Sequence, residues 1–291
     1  MRLEYSILKS CGFRKTAAAL FILFCSSFLF PSFTAAEEPL RIGVTLGLTR
    51  KYALYSDMQM KGYRLWEEDV NKKGGVLGRP VELIILDDRS DAERSLKLYA
   101  KLIKVEKVDF LFAPFSSEIT GEIIPLTERH GYPVLIAGAS ADRLWNQGYE
   151  YMFGIFMPAG KLAKGFLELL LINEFEKIAI VHARDPFSED VGEGARKWAE
   201  ALGLNVVLYE ELTGNNEEKV KEVAERIISL DTEAVLVCGF LKELVEVRLA
   251  LDRAGQYDGL FYTPVGPGMP EFYQLLGERA EYVFSTSQWQ L

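Results

Sequence analysis

The feature that most constrains the fold is a regular alternation of short apolar runs with longer segments of helical periodicity. The runs are rich in Val, Ile, Leu and Phe, which is typical of strands buried on both faces of a parallel sheet. The first four predicted strands are Arg41–Leu46, Val81–Leu86, Asp109–Ala113 and Pro133–Ala137. The helices predicted between them are Met58–Asn71, Asp91–Lys104 and Glu118–Arg129. This order predicts an open α/β sheet.

The same alternation then starts again. The further predicted strands are Tyr151–Ile155, Lys177–His182, Asn205–Tyr209, Ala234–Cys238, Leu260–Thr263 and Tyr282–Ser285. The further predicted helices are Lys161–Asn173, Ser188–Leu202, Glu217–Leu230 and Lys242–Ala254. No Pro- or Ser-rich linker separates the two units, so the sequence predicts two doubly wound, Rossmann-like lobes with a ligand cleft between them. We place the first lobe at 37–155, the second at 156–284, and the start of a return crossover at 285–291.

Residues 1–36 have the pattern of a secretory leader. A basic flank precedes the apolar stretch Ala17–Phe30, whose 14 residues fall short of the ~20 that span a bilayer. Small residues follow, so cleavage is expected after Ala36, with the mature chain in the periplasm or secreted. Two alternatives stay open: an uncleaved membrane anchor, and a lipid on Cys25, against which the bulky Phe24 argues.

Composition and motifs exclude several classes of protein. The formal charge is −9 and the isoelectric point about 5.0, whereas nucleic-acid binders need a basic surface. The chain has no phosphate-binding P-loop, H-E-x-x-H, C-x-x-C, G-x-S-x-G or G-x-G-x-x-G pattern. We therefore expect no enzyme activity, no cofactor and no metal. Asp87 and Asp88 are expected in a solvated turn, His182 in a structural role, and Cys238 in the core.

Hydroxyl and aromatic residues collect in the loops that follow the predicted strands, where open α/β sheets bind ligands. Ser116 and Ser140 are each expected to open a helix, and free amide groups beside a hydroxyl suit an anion. The corresponding loops of the second unit carry Phe187, Phe240 and Val265, which offer apolar surface. The alternative that the serines only cap helices stays open.

Several segments resemble a known family. They are Arg41–Val44, Asn71–Leu83, Leu86–Arg89, Phe115–Ser117, Gly131–Ser140, Gly148–Phe153 and Ile178–His182. From residue 40 to 291 the chain resembles the type I periplasmic binding proteins of the leucine/isoleucine/valine group, which deliver solutes to ABC transporters. The most specific part is the N-x-x-G-G-x-x-G-R block, followed by the Asp pair.

The resemblance implies a ligand site. Hydroxyls and backbone amides of the first lobe would hold a ligand carboxylate, and these map onto Ser116, Gly138, Ala139 and Ser140. Aromatic residues of both lobes would shut the cleft, and these map onto Tyr55, Phe187 and Phe240. Family members often have Tyr at the two Phe positions. Amino-acid binders also carry an acid where this chain has Val265, which argues against an α-amino acid.

The function implied is that of an extracytoplasmic solute-binding protein. It would capture a small carboxylate-containing ligand, either an amino acid or a related acid or amide, and deliver it to an ABC permease complex in the membrane. The alternative is a membrane-tethered domain that senses a ligand. Family members usually continue by about one more βαβ crossover, so we expect apolar faces of this chain to be uncovered.

Overall fold

The computed structural model describes residues 38–213, 217–255 and 257–287. The predicted leader, its cleavage site after Ala36, Cys25, and residues 288–291 of the predicted crossover lie outside this part. The described residues form ten strands and nine α-helices, which alternate along the chain as the sequence predicts. Within these ranges, none of the helices is both long enough and apolar enough to cross a bilayer.

The first lobe is built on a five-stranded parallel sheet with the order β2-β1-β3-β4-β5. Its strands are β1 (Leu40–Leu46), β2 (Val81–Asp87), β3 (Phe110–Phe112), β4 (Val134–Ile136) and β5 (Met152–Gly154). Its helices are α1 (Ala53–Lys72), α2 (Ala92–Lys101), α3 (Ser117–Arg129) and α4 (Asp142–Trp145). A π-helical turn, Leu102–Glu106, continues α2.

The second lobe repeats this topology with the order β7-β6-β8-β9-β10. Its strands are β6 (Lys177–Ala183), β7 (Asn205–Leu212), β8 (Ala234–Cys238), β9 (Leu260–Tyr262) and β10 (Val283–Phe284). Its helices are α5 (Lys164–Ile172), α6 (Pro186–Leu202), α7 (Glu217–Ser229), α8 (Leu241–Ala254) and α9 (Pro270–Leu276). The prediction of two doubly wound lobes is confirmed.

Burial on both faces explains why the apolar runs were good strand signals. All five residues of β8 are buried, including Cys238, as expected.

Two elements were predicted less well. Helix α1 begins at Ala53, five residues before the predicted start, because the preceding turn is anchored by Tyr52, which is 1% exposed. Helix α9, which was not predicted, begins with Pro270 at its first position, where a missing N–H costs nothing.

The expectation of a solvated turn at the Asp pair is wrong for Asp88. Its side chain is fully buried and accepts hydrogen bonds from Thr45 Oγ1 at 2.6 Å and from the Ser90 amide at 2.9 Å. Burial raises the pKa of the Asp88 carboxyl. Asp88 therefore ties the end of β2 to β1, a contact that sequence distance conceals.

Glycine allows α6 to pack closely against the segment that joins the lobes. A Cβ on Gly194 would lie 2.3 Å from the Cα and carbonyl oxygen of Gly160. Backbone atoms cannot yield as a flexible side chain can, so only glycine fits there.

One face of the first sheet is more open than its counterpart. In the second lobe, the Phe166 ring of α5 covers Tyr262 and Phe284 at 5.2 and 5.3 Å. The strands in the same topological places of the first lobe leave Leu135 37% and Phe153 54% exposed. The expectation of uncovered apolar surface holds for this face among the described residues.

Candidate functional site

A cavity of about 600 Å³ lies between the two lobes, at the carboxyl ends of both sheets. This volume is within the range of small-molecule sites. The lining residues come from strand ends, helix starts, the segment that joins the lobes and the segment after β10. They are Phe115, Ser116, Ser117, Gly138, Ser140, Ile155, Phe156, Leu162, Phe187, Phe240, Pro264, Val265, Thr286 and Ser287.

The structure brings most of the predicted site residues to this one cavity. Those that line it are Ser116, Gly138, Ser140, Phe187, Phe240 and Val265. Ala139 does not line it and is packed in the core of the first lobe. Tyr55 lines a neighbouring cavity of about 510 Å³, which shares the Phe240 wall. That these residues contact a ligand stays a prediction.

Ser116 is the residue before α3, as predicted, but its side chain does not cap the helix. The hydroxyl oxygen is buried and makes no hydrogen bond of good geometry to a described residue; its polar neighbour is the Tyr52 hydroxyl, which donates to Glu118. An unpaired buried hydroxyl is costly. The amides at the start of a helix also favour negative charge. The arrangement thus offers an unused hydroxyl at the positive end of a helix, on the wall of a cavity.

Ser117 has the opposite role. Its Oγ accepts hydrogen bonds from the amides of Ser140 and Ala141, each at 3.1 Å. Helix α4 begins only at Asp142, so the expectation that Ser140 opens a helix is wrong. The Ser140 amide is thus held by Ser117, and Ser140 itself lines the cavity.

Aromatic side chains form the apolar wall of the cavity. The rings of Phe187 and Phe240 lie 5.5 Å apart, and both residues are less than 10% exposed. Across the cleft, Phe115 is 5.9 Å from the Phe240 ring. Packing between aromatic rings of the two lobes therefore closes one side of the cavity.

Tyr55 joins the lobes where the two cavities meet. Its ring stacks on Phe115 at 5.1 Å, and its hydroxyl oxygen accepts a hydrogen bond from the Leu241 amide at 3.1 Å. Burial raises the pKa of Tyr55 to about 12, so the phenol is neutral at physiological pH. The contact reaches from α1 of the first lobe to the start of α8 in the second.

The sequence reasoning missed the cavity residues on the segment that joins the lobes and on the segment after β10. Ile155, Phe156 and Leu162 lie on the joining segment, and Thr286 follows β10. Thr286 Oγ1 donates to the Leu162 carbonyl at 2.7 Å, so the two segments are tied together. The predicted boundary between the lobes, at residues 155 and 156, was the available signal, because residues that pass between lobes border the cleft.

Glu118, two residues after Ser116, is paired with groups outside the cavity lining. Glu118 Oε2, in the first turn of α3, accepts from the Tyr52 hydroxyl at 2.5 Å and from Lys51 Nζ at 3.0 Å. Burial opposes ionisation, but these two hydrogen bonds outweigh it and lower the pKa of Glu118. The fourteen lining residues include no ionisable side chain. The positive charge of Lys51 therefore neutralises Glu118, the acid in the first turn of α3.

Other candidate groups lie away from the cavity. His182 is buried, packs on the Tyr209 ring at 5.2 Å, and its Nδ1 lies 3.1 Å from the Ala183 carbonyl oxygen. This fits the expected structural role. Among the described residues, no group of three or more His, Cys, Asp or Glu side chains could hold a metal ion.

Comparison with known proteins gives a consistent picture. Residues 39–290 match the model of a family described as periplasmic binding protein. The chain is 24% identical over 260 residues to the leucine-, isoleucine-, valine-, threonine-, and alanine-binding protein of Pseudomonas aeruginosa, covering 88% of this chain and 68% of that protein.

Solved structures show the same fold. A branched-chain amino acid transporter substrate binding protein of Streptococcus pneumoniae, in complex with isoleucine, matches with a TM-score of 0.73 and 20% identity, covering 85% of this chain and 70% of that one. A solute binding protein of an ABC transporter from R. palustris, in complex with benzoate, matches with a TM-score of 0.66 and 20% identity, covering 78% and 62%. The chain thus spans about two thirds of the length of these relatives.

Proposed function

Because this chain belongs to the periplasmic binding protein family, we propose that it is a solute receptor that closes around a small carboxylate with an uncharged, apolar body and delivers it to an ABC transporter permease. The observation that carries this proposal is a cavity of about 600 Å³ with no ionisable side chain in its lining and, at a helix start, a Ser116 hydroxyl that makes no hydrogen bond of good geometry. No catalytic step is assigned to it.

The carboxylate end of the ligand is assigned to the first lobe. The Ser116 hydroxyl would donate to it, and the first amides of α3 lie at the helix end that favours anions. The Ser140 hydroxyl lines the same wall. Hydrogen bonds to a charged acceptor are stronger than neutral ones, so this end would fix the orientation of the ligand.

The body of the ligand is assigned to the second lobe. Phe187, Phe240 and Val265 offer apolar surface that would contribute ~1.5–3 kcal/mol for each well-covered side chain. An ammonium group placed there would lose its water without gaining an anion, which costs several kcal/mol. A keto acid or an aromatic acid therefore fits better than an α-amino acid. The benzoate complex of the R. palustris relative is a precedent for an acid without an ammonium group.

The family supports a proposal for location and partner. We assign the receptor to the periplasm, with the leader removed near Ala36, and its partner is a permease complex in the membrane. Fractionation of cells separates this from the tethered sensing domain. A receptor is released by osmotic shock, whereas a tethered domain stays with the membranes.

Calorimetry on the purified mature protein tests the ligand class. Leucine, its keto acid 4-methyl-2-oxopentanoate, and benzoate are titrated into the wild type, and we expect the two acids without an ammonium group to bind at least tenfold more tightly than leucine. Val265→Glu should shift the preference toward leucine, because it supplies the missing anion. Val265→Gln is the matched control, since it adds similar volume without charge.

Tight binding of leucine to the wild type, with no binding of the two other acids, would contradict the ligand assignment. Failure of every small carboxylate to bind would contradict the receptor function itself.

A further inference from the structure

An ion-pair cluster joins the lobes beside the cavity. Arg143 Nε lies 3.1 Å from Asp190 Oδ1 and 3.3 Å from Oδ2, and its Nη2 lies 2.6 Å from Oδ1. The same Nη2 donates to Glu189 Oε2 at 2.9 Å. The Arg143 amide also donates to Asp190 Oδ2 at 3.2 Å. One arginine thus holds two acids through its side chain and its backbone.

The partners belong to different lobes. Arg143 lies in α4 of the first lobe, and both acids lie in the first turns of α6 in the second. Arg143 follows Ser140 by three residues, and Asp190 follows Phe187 by three. The cluster therefore fastens the segment with the predicted carboxylate ligand Ser140 to the helix with the apolar wall residue Phe187.

The cluster is only partly buried, so the strength of its ion pairs depends on ionic strength. The side chains of Arg143, Glu189 and Asp190 are 46%, 34% and 15% exposed. Asp190 is thus largely shielded while Arg143 remains in contact with solvent. A bidentate guanidinium–carboxylate contact is stronger and more specific in geometry than an ordinary surface pair. Separation of the lobes would return both charges to water, where salt screens them.

We propose that Arg143 is a positioning residue whose ion pair with Asp190 holds the lobes closed and sets the rate at which ligand leaves. This inference rests on the proposed receptor function. Loss of the pair would leave the lining residues intact but would make the open form more accessible. Ligand retention would also decrease as ionic strength rises.

The experiment compares Arg143→Gln, Asp190→Asn and the double variant with the wild type. Arg196→Gln is the matched control, because Arg196 pairs with Glu193 at 2.8 Å at similar exposure but within α6 alone. Stopped-flow fluorescence with benzoate and with 4-methyl-2-oxopentanoate gives association and dissociation rates. Small-angle X-ray scattering without ligand gives the radius of gyration, and thermal unfolding gives Tm.

We expect each single variant at 143 or 190 to raise the dissociation rate roughly 5- to 50-fold, with little change in the association rate. The double variant should release ligand no faster than the faster of the two single variants, because the two residues act as a pair. The ligand-free variants should show a larger radius of gyration, and Arg196→Gln should show neither effect. In the wild type, raising the ionic strength from about 0.05 M to about 0.5 M should speed dissociation.

Arg143→Gln with unchanged dissociation rate and unchanged radius of gyration overturns the proposal, even if its Tm falls. Equal effects of Arg196→Gln also overturn it. If the wild type binds neither probe, the receptor proposal fails. The radius of gyration then decides by itself whether Arg143 holds the lobes together.

Discussion

Removal of the Ser116 hydroxyl should stabilise the protein and weaken ligand binding at the same time. The oxygen is buried and makes no hydrogen bond of good geometry to a described residue, because the neighbouring Tyr52 hydroxyl donates to Glu118 instead. Burying a hydroxyl in this state costs ~1–3 kcal/mol. Ser116→Ala should recover at least part of that cost, about 1 kcal/mol. For a chain of this size such a gain raises Tm by about 2–4 °C.

The neighbouring serine provides a control of opposite sign. Ser117 Oγ accepts from the amides of Ser140 and Ala141, so Ser117→Ala leaves two buried donors unpaired. At ~1–3 kcal/mol for each lost partner, the free energy of unfolding should fall by about 2–6 kcal/mol. The two substitutions are chemically identical and adjacent, and both residues are 2% exposed. Their difference therefore reports hydrogen bonding alone.

Scanning calorimetry without ligand measures the stability effects, and titration calorimetry with 4-methyl-2-oxopentanoate measures binding. Loss of one hydrogen bond to a buried carboxylate should weaken binding by ~1–3 kcal/mol, which is roughly 5- to 150-fold. If Ser116→Ala lowers Tm as Ser117→Ala does, then Ser116 has a structural partner and the reasoning fails. If it raises Tm but leaves affinity unchanged, then its hydroxyl is not a ligand contact.

Three further predictions concern pH and packing. Burial raises the pKa of Asp88 above its unfolded value, so its contribution to stability is greatest at low pH and is lost as pH rises through the folded pKa. In thermal unfolding, the Tm of Asp88→Asn should match that of the wild type near pH 4, roughly the unfolded pKa, and should exceed it increasingly toward pH 7. A difference in Tm that does not change with pH would contradict this. Gly194→Ala should lower the free energy of unfolding by ~1–3 kcal/mol or more, because its Cβ meets the Gly160 backbone. Gly165→Ala, which has open space around the added carbon, should instead raise it by ~0.5–1 kcal/mol. Denaturant titrations measure both. Because no lining residue is ionisable, affinity for benzoate should stay constant between about pH 6 and about pH 9; a titration within that range would place an ionisable group in contact with the ligand.

The strands and the repeated topology were readable from sequence because their signal is local. A run such as Ala234–Cys238 is apolar throughout, and a segment buried on both faces needs no partner to be recognised; the strand has the same bounds in the structure. Helix α6 was predicted at Ser188 and begins at Pro186, with the Asp185 side chain as its cap. Errors at such ends are small because capping depends on adjacent residues.

The loops after the strands were also predictable, because parallel strands place their carboxyl ends at one edge of each sheet. This is why Ser116, Gly138, Ser140, Phe187, Phe240 and Val265 line one cavity. Sequence alone does not distinguish the two adjacent serines, although Ser116 makes no hydrogen bond of good geometry and Ser117 accepts from two amides. That difference arises from a loop 23 and 24 residues further along the chain.

Contacts between the lobes were decided by tertiary structure alone. The Tyr55 hydroxyl meets the Leu241 amide across 186 residues, and Arg143 meets Asp190 across 47. The buried pairing of Asp88 with Thr45 spans 43. Apolar periodicity depends on which face of an element is buried and can therefore be recognised within that element. A polar contact depends on two distant segments meeting, either within one lobe, as for Asp88 and Thr45, or between the lobes, as for the other two pairs.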